Sequence, residues 1–148
     1  MEDWLIEERL MKALVQALRE GNHSLVIGKN NLLSFDGRGV SDLLRLLHES
    51  PEILRGAQLA DKVVGKGAAA LMALGKVKEV YAEVISEPAL GLLEQEGIRT
   101  TYGKLVTHII NREGTGLCPV ETRCLTCKTP AECLVQIENF LKEMKEKK

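Results

Sequence analysis

The chain has 148 residues, the usual size of one domain and enough to bury a core without disulfide staples. Its 20 Lys and Arg against 21 Asp and Glu leave a net charge of −1, so no basic field offers the phosphate neutralisation that non-specific nucleic-acid binding needs. The aromatics Trp4, Phe35, Tyr81, Tyr102 and Phe140 are scattered along the chain, which argues against a base-stacking platform and, with the balanced charge, against a nucleic-acid partner.

The N-terminal MEDWLIEERL is acidic and amphipathic, without the basic region and apolar run of a signal peptide, so a cytoplasmic location is expected. No stretch approaches the roughly eighteen uninterrupted apolar residues of a membrane span. Trp4, Leu5, Leu10, Met11, Leu14, Val15 and Leu18 recur at helical spacing between Asp3, a candidate N-cap, and the stop Gly21-Asn22. Ser24 to Ile27 and Leu32 to Phe35 read as two strands joined through Gly28-Lys29-Asn30-Asn31, a hairpin. After the break Asp36-Gly37-Arg38-Gly39, Ser41 is placed to cap a short helix carrying Leu43, Leu44, Leu46 and Leu47 before Pro51.

From residue 57 strand and helix patterns alternate. Ala57 to Ala60 is a short strand or extended loop, and Val63 to Leu74 reads as an alanine-rich helix ended by Gly75. The clearest strand runs from Val77 to Ile85, with Val80, Ala82 and Val84 expected on one face. Ser86-Glu87-Pro88 opens the next helix, Gly97 closes it, and Ile98 to Tyr102 forms a further strand. Residues 57–102 thus read as βαβαβ, an α/β domain with parallel pairing. Leu105 to Ile110 is strand or buried turn, residues 111–128 form an irregular cysteine-containing loop, and Thr129-Pro130-Ala131-Glu132 caps a helix over 130–145. The single domain therefore spans 1–148.

Helix, hairpin and alternating helices and strands resemble the cytidine-deaminase-like fold, a three-layer α-β-α architecture with a mixed sheet. Zinc deaminases of that fold carry H-x-E at one helix start and P-C-x-x-C at the next. Ser86-Glu87-Pro88-Ala89-Leu90-Gly91-Leu92 is similar to S-E-P-C-x-x-C with Ala89 and Leu92 in place of the cysteines. Gly65-Lys66-Gly67 is similar to the H-A-E helix start, with glycines where the histidine and glutamate stand. The resemblance therefore implies a deaminase-like protein with neither zinc cofactor nor proton shuttle, and uncertain enzymatic status. A closer resemblance covers about residues 12–121. It rests on Gly21-Asn22-His23-Ser24-Leu25-Val26, Asp36-Gly37-Arg38-Gly39-Val40, Ala60-Asp61-Lys62-Val63-Val64-Gly65-Lys66, Glu83-Val84-Ile85-Ser86-Glu87-Pro88-Ala89-Leu90 and Ile110-Asn111-Arg112-Glu113-Gly114-Thr115-Gly116-Leu117-Cys118-Pro119-Val120-Glu121, and is to the family called domain of unknown function 1893. That family is grouped with the deaminase-like fold and has no assigned reaction.

The expected site is a pocket at the starts of the helices near Gly65 and Pro88, holding a nucleotide-like or nucleotide-sugar ligand. Gly65 and Lys66 would present backbone N–H groups and an ammonium to phosphate, although the segment lacks P-loop spacing and could equally be tight packing with a solvated lysine. Lys62 would add charge, while Asp61, Ser86, Glu87, Asn111 and Glu121 would supply donors and acceptors; Asp61 and Ser86 could equally be helix caps. Cys118 could bring a thiol to the pocket, with His108 the nearest candidate base. An enzyme using Cys118 or the pocket acids is the rival reading. Cys118, Cys124, Cys127 and Cys133 could be free thiols, a zinc or iron–sulfur site, or a redox disulfide with an interaction role. Deaminase-like relatives often self-associate, so a homodimer is the expected assembly.

Overall fold

In the computed structural model, which describes residues 2–29, 31–37, 40–111 and 114–146, a five-stranded mixed sheet is flanked by helices. Asn30 of the hairpin turn, and Arg38, Gly39, Arg112 and Glu113 of the family-like segments, lie outside the described residues. The order is β2-β1-β3-β4-β5. The hairpin strands β1 (Leu25–Gly28) and β2 (Leu32–Phe35) pair antiparallel, and β1 also pairs antiparallel with β3 (Gln58–Val64). β3, β4 (Glu79–Ser86) and β5 (Arg99–Val106) then run parallel, as the βαβαβ reading requires.

Each face of the sheet buries its own apolar set. α1 (Glu2–Glu20) lays Met11, Leu14 and Leu18 over Val26 and Ala60, the amphipathic stripe read from the sequence. The main core lies on the other face. There Leu43 and Leu46 of α2 (Ser41–Glu49), the alanines and Leu71 of α4 (Lys66–Leu74), Leu93 of α5 (Glu87–Gln95) and Ile137 of α7 (Pro130–Glu146) meet Leu59, Val80, Ala82 and Ile85 of the strands. From Gly67 to Ala73 α4 is apolar on every side and buried, so small side chains are what let its neighbours approach.

Several boundaries differ from the sequence reading. Val63 and Val64 finish β3 instead of starting a helix, and α4 begins only at Lys66 after the extended residue Gly65. β5 continues to Val106, so Leu105 is strand. Val84 does not share the face of Val80 and Ala82: it lines a cleft beside Leu18 and Arg19 of α1, and Ile85 takes the core position. Asp3 lies inside α1, and Ser41 is the first residue of α2, whose N-cap is Val40. Two short helices, α3 (Pro51–Leu54) and α6 (Pro119–Cys124), stand where no helix is expected. The cap of α7 is as read: Thr129 Oγ1 accepts the Glu132 N–H at 3.2 Å, while the Glu132 carboxylate turns to the N–H of Lys128 at 3.1 Å.

Candidate functional site

The three parallel strands end on one side of the molecule, where the chain turns into α4 and α5. Such junctions leave backbone N–H groups unpaired and attract negative charge. Ser86 caps α5, its hydroxyl accepting the N–H of Ala89 at 3.2 Å. Gly65 occupies the cap of α4 and has no side chain to do the same.

That missing acceptor comes from α6. Glu121, 2% exposed, directs its carboxylate to the junction: Oε2 accepts the backbone N–H of Lys66 at 2.8 Å and the hydroxyl of Ser86, and Oε1 accepts the N–H of Ile109 at 2.6 Å. One buried acid thereby joins the starts of α4 and α5 to the segment that follows β5. The short α6 is braced on α7, where Arg123 makes a bidentate pair with Glu143 at 2.6 and 3.1 Å and lies 5.2 Å from the centre of the Phe140 ring. Lys66 completes the clasp from the other side, its ammonium donating to the carbonyls of Leu125 at 3.1 Å and Cys127 at 2.8 Å.

The two glycines make room for this arrangement. A Cβ at Gly65 would lie 3.2 Å from Glu121 Oε2 and 3.3 Å from Ile109 Cγ1, and one at Gly67 would lie 2.5 Å from Val120 Cγ1. Zinc chemistry does not fit here. The positions of the metal ligands and proton shuttle implied by the resemblance are Gly65, Gly67, Ala89 and Leu92, packed against the chain's own side chains, and among the described residues no three His, Cys, Asp or Glu side chains could hold a metal ion. Gly67→Ala should lower the melting temperature although alanine favours helix by about 1 kcal/mol, because forcing a methyl into a packed core costs about 1–3 kcal/mol and Val120 must shift. A thermal melt of the variant measures which effect wins.

Of the expected site residues, Gly65, Lys66, Ser86 and Glu121 converge, and Cys118 caps α6 one turn before Glu121. The others do not join them. Asp61 is buried in the middle of β3, not at a helix cap, and its Oδ1 accepts the Val63 N–H at 3.3 Å. Burial pushes its carboxyl up to about 7, with the nearby Asp42 adding to the rise. Lys62 is exposed and donates to Asn22 Oδ1 at 2.8 Å, lining the separate cleft beside α1. Glu87 faces solvent. Asn111 closes its own loop, bonding the N–H of Thr115 at 3.0 Å and the hydroxyl of Thr115 at 3.1 Å. No hydrogen bond joins His108 to Cys118 among the described residues, and the Cys118 N–H donates to Ile109 O at 2.9 Å.

Next to the clasp a cleft of about 460 Å³ opens between α5 and the turn that precedes α7, lined by Lys66, Pro88, Leu92, Gln95, Cys127 and Lys128. The sequence reading missed Gln95 and Lys128. The spacing of Pro88, Gly91, Leu92 and Gln95 at i, i+3, i+4 and i+7 was the available signal, since it puts all four on one face of α5. The four cysteines are free thiols: Cys124 and Cys133 are buried, and Cys118 and Cys127 half-buried. No helix among the described residues is long and apolar enough to cross a membrane.

Similarity to known proteins extends over most of the chain. The chain is similar to a crystal structure of a DUF1893 family protein from Thermotoga maritima, with 24% identity, a TM-score of 0.82, and 88% of this chain and 89% of that chain covered. No curated protein matches it. The family model described as domain of unknown function (DUF1893) matches residues 13–141, so nearly the whole fold, including both helix starts, Glu121 and the cysteine turn, falls within it, and the chain belongs to the DUF1893 family.

Proposed function

We propose that this protein is a non-catalytic binding module of cytidine-deaminase-like architecture that holds a nucleotide-like ligand in the cleft between α5 and the Cys127–Lys128 turn. The mixed sheet, with its antiparallel hairpin edge and three parallel strands, supports the fold reading. The observation that carries the functional reading is the cleft itself. Its 460 Å³ falls within the range of small-molecule pockets, and its lining combines the apolar Pro88 and Leu92 with the exposed polar residues Gln95, Glu96 and Lys128.

Glu121 decides where an anionic group would bind. At the junction of α4 and α5 the N–H of Lys66 and the hydroxyl of Ser86 already face a carboxylate, so a phosphate there would displace a buried internal partner. Lys128 takes over that role at the cleft, and Gln95 and Glu96 are placed to bond a base or sugar edge. The four free thiols suit a cytoplasmic, reducing setting. A thermal-shift screen over nucleosides, nucleotides and nucleotide sugars at millimolar concentration tests the reading. Phosphate-bearing members should raise the melting temperature more than bare nucleosides, and Lys128→Ala should remove that preference while the exposed Glu87→Ala leaves it unchanged. No shift with any member would reject the proposal.

A further inference from the structure

We propose that Cys127 and Cys133 form a reversible disulfide, in which Cys127 is the thiol that meets a peroxide and Cys133 is the thiol that resolves it. Three thiols meet where α6 ends and α7 begins. Cys124 closes α6, the Cys127 N–H donates to the Cys124 carbonyl at 3.0 Å, and Cys133 sits in the first turn of α7, its N–H bonded to Thr129 O at 3.2 Å. Cys124 Sγ lies 4.0 Å from the Cys133 carbonyl oxygen, and the Cys133 thiol interacts with the thiols of both Cys124 and Cys127. Cys133 is therefore the shared neighbour.

Exposure separates the roles. Cys124 and Cys133 are completely buried, whereas Cys127 is half-buried and lines the cleft, so a small oxidant arriving from solvent reaches Cys127 first. Cys118, at the other end of α6, contributes nothing to this cluster. The Cys124 thiol is held below the ordinary cysteine range, chiefly by the hydrogen bond from Cys133, and for the same reason Cys133 holds its proton far above that range. Burial pushes Cys127 up, so it should react with peroxide no faster than an ordinary thiol and more slowly than a dedicated peroxidase.

The chemistry balances with hydrogen peroxide as the oxidant. Cys127 sulfur attacks one peroxide oxygen, the O–O bond breaks, and the thiol proton leaves with the departing hydroxide as water, giving a Cys127 sulfenic acid. Cys133 sulfur then attacks Cys127 sulfur. The S–O bond breaks, the departing hydroxide takes the Cys133 thiol proton as a second water, and the S–S bond remains. Two thiols have lost two electrons and one peroxide has become two waters. A dithiol reductant reverses the reaction.

Trypsin cuts after Arg123, Lys128 and Lys142, which places Cys124 and Cys127 on one peptide (124–128) and Cys133 on the next (129–142). Mass mapping of the full chain after peroxide treatment should show these two peptides joined, two of the four thiols lost to alkylation, and full recovery with dithiothreitol. Cys127→Ala should abolish the joined peptide, and Cys124→Ala and Cys118→Ala should keep it. In Cys133→Ser, the sulfenic acid should accumulate on Cys127 and be trapped by dimedone. Peptide 124–128 alone becoming two hydrogens lighter would overturn the assignment in favour of a Cys124–Cys127 bridge. So would a joined peptide that survives Cys127→Ala, or four intact thiols after treatment. Should the buried Cys133 variant fail to fold, the wild-type map and the Cys127 variant decide the matter alone. The readout uses no ligand, so it stands or falls apart from the cleft's proposed function.

Discussion

Glu121→Ala should lower the melting temperature by on the order of 10 °C. The carboxylate accepts from the Lys66 and Ile109 N–H groups and the Ser86 hydroxyl while only 2% exposed, so its removal strands three donors where water has poor access. Each buried unsatisfied group costs about 1–3 kcal/mol, and losing a buried charged partner costs about 3–5 kcal/mol in total once some donors relax. At about 2–4 °C per kcal/mol for a chain of this size, the shift is large. Glu121→Gln keeps the shape but turns an NH₂ group toward donors, so a smaller loss of about 1–3 kcal/mol is expected. Equal melting temperatures for all three proteins would show that the clasp contributes nothing to stability. Loss of α6 and the cysteine turn in the alanine variant, read by amide exchange, would show that Glu121 holds that segment against the helix starts.

Much of this clasp was visible in the sequence as separate pieces, and the reason it could not be assembled is distance along the chain. Ser86-Glu87-Pro88 announces its own cap locally, and the hydroxyl does cap α5. Gly65 and Gly67 mark a close approach without saying to what, because the approaching Glu121 and Val120 lie more than fifty residues later. α6 escaped notice because six residues between a glycine-rich loop and a cysteine turn carry too little periodicity to register as a helix.

The misplacement of Lys62 has a sharper cause. Treating Asp61-Lys62 as a loop at a helix start put both side chains in one pocket, but β3 continues to Val64, and neighbouring residues of a strand point to opposite faces. Lys62 accordingly reaches Asn22 near the end of α1, while Asp61 is buried. The β-branched pair Val63-Val64 was the available signal for strand, outweighed by the alanines that follow. The sheet order itself followed from the alternation of patterns over 57–102, since strands linked by helices pair parallel.

Asp61 gives the second large effect, and its sign runs opposite to that of a salt-bridged carboxylate. Its folded-state pKa of about 7 lies above the value of 3.8 for a free aspartate, with burial the main cause. Between those two values the folded protein keeps a proton that the unfolded chain has released. This group's contribution is therefore most favourable below about pH 4 and is lost progressively as the pH rises through about 7. The full span corresponds to about 4 kcal/mol, an order-of-magnitude figure at about 1.4 kcal/mol per pH unit. Asp61→Asn keeps the shape and can still accept the Val63 N–H, but never acquires the charge. The variant should match the wild type near pH 4, gain on it with every unit up to about 7, and hold a constant advantage above pH 8, with a melting temperature higher by on the order of 10 °C. Asp42→Asn provides the check on cause: removing the neighbouring charge should move the midpoint of the wild-type pH dependence downward, because Asp42 contributes to the rise. A difference between Asp61→Asn and wild type that is the same at pH 4 and pH 8 would mean that Asp61 is charged in the folded protein throughout, with a partner that offsets its burial.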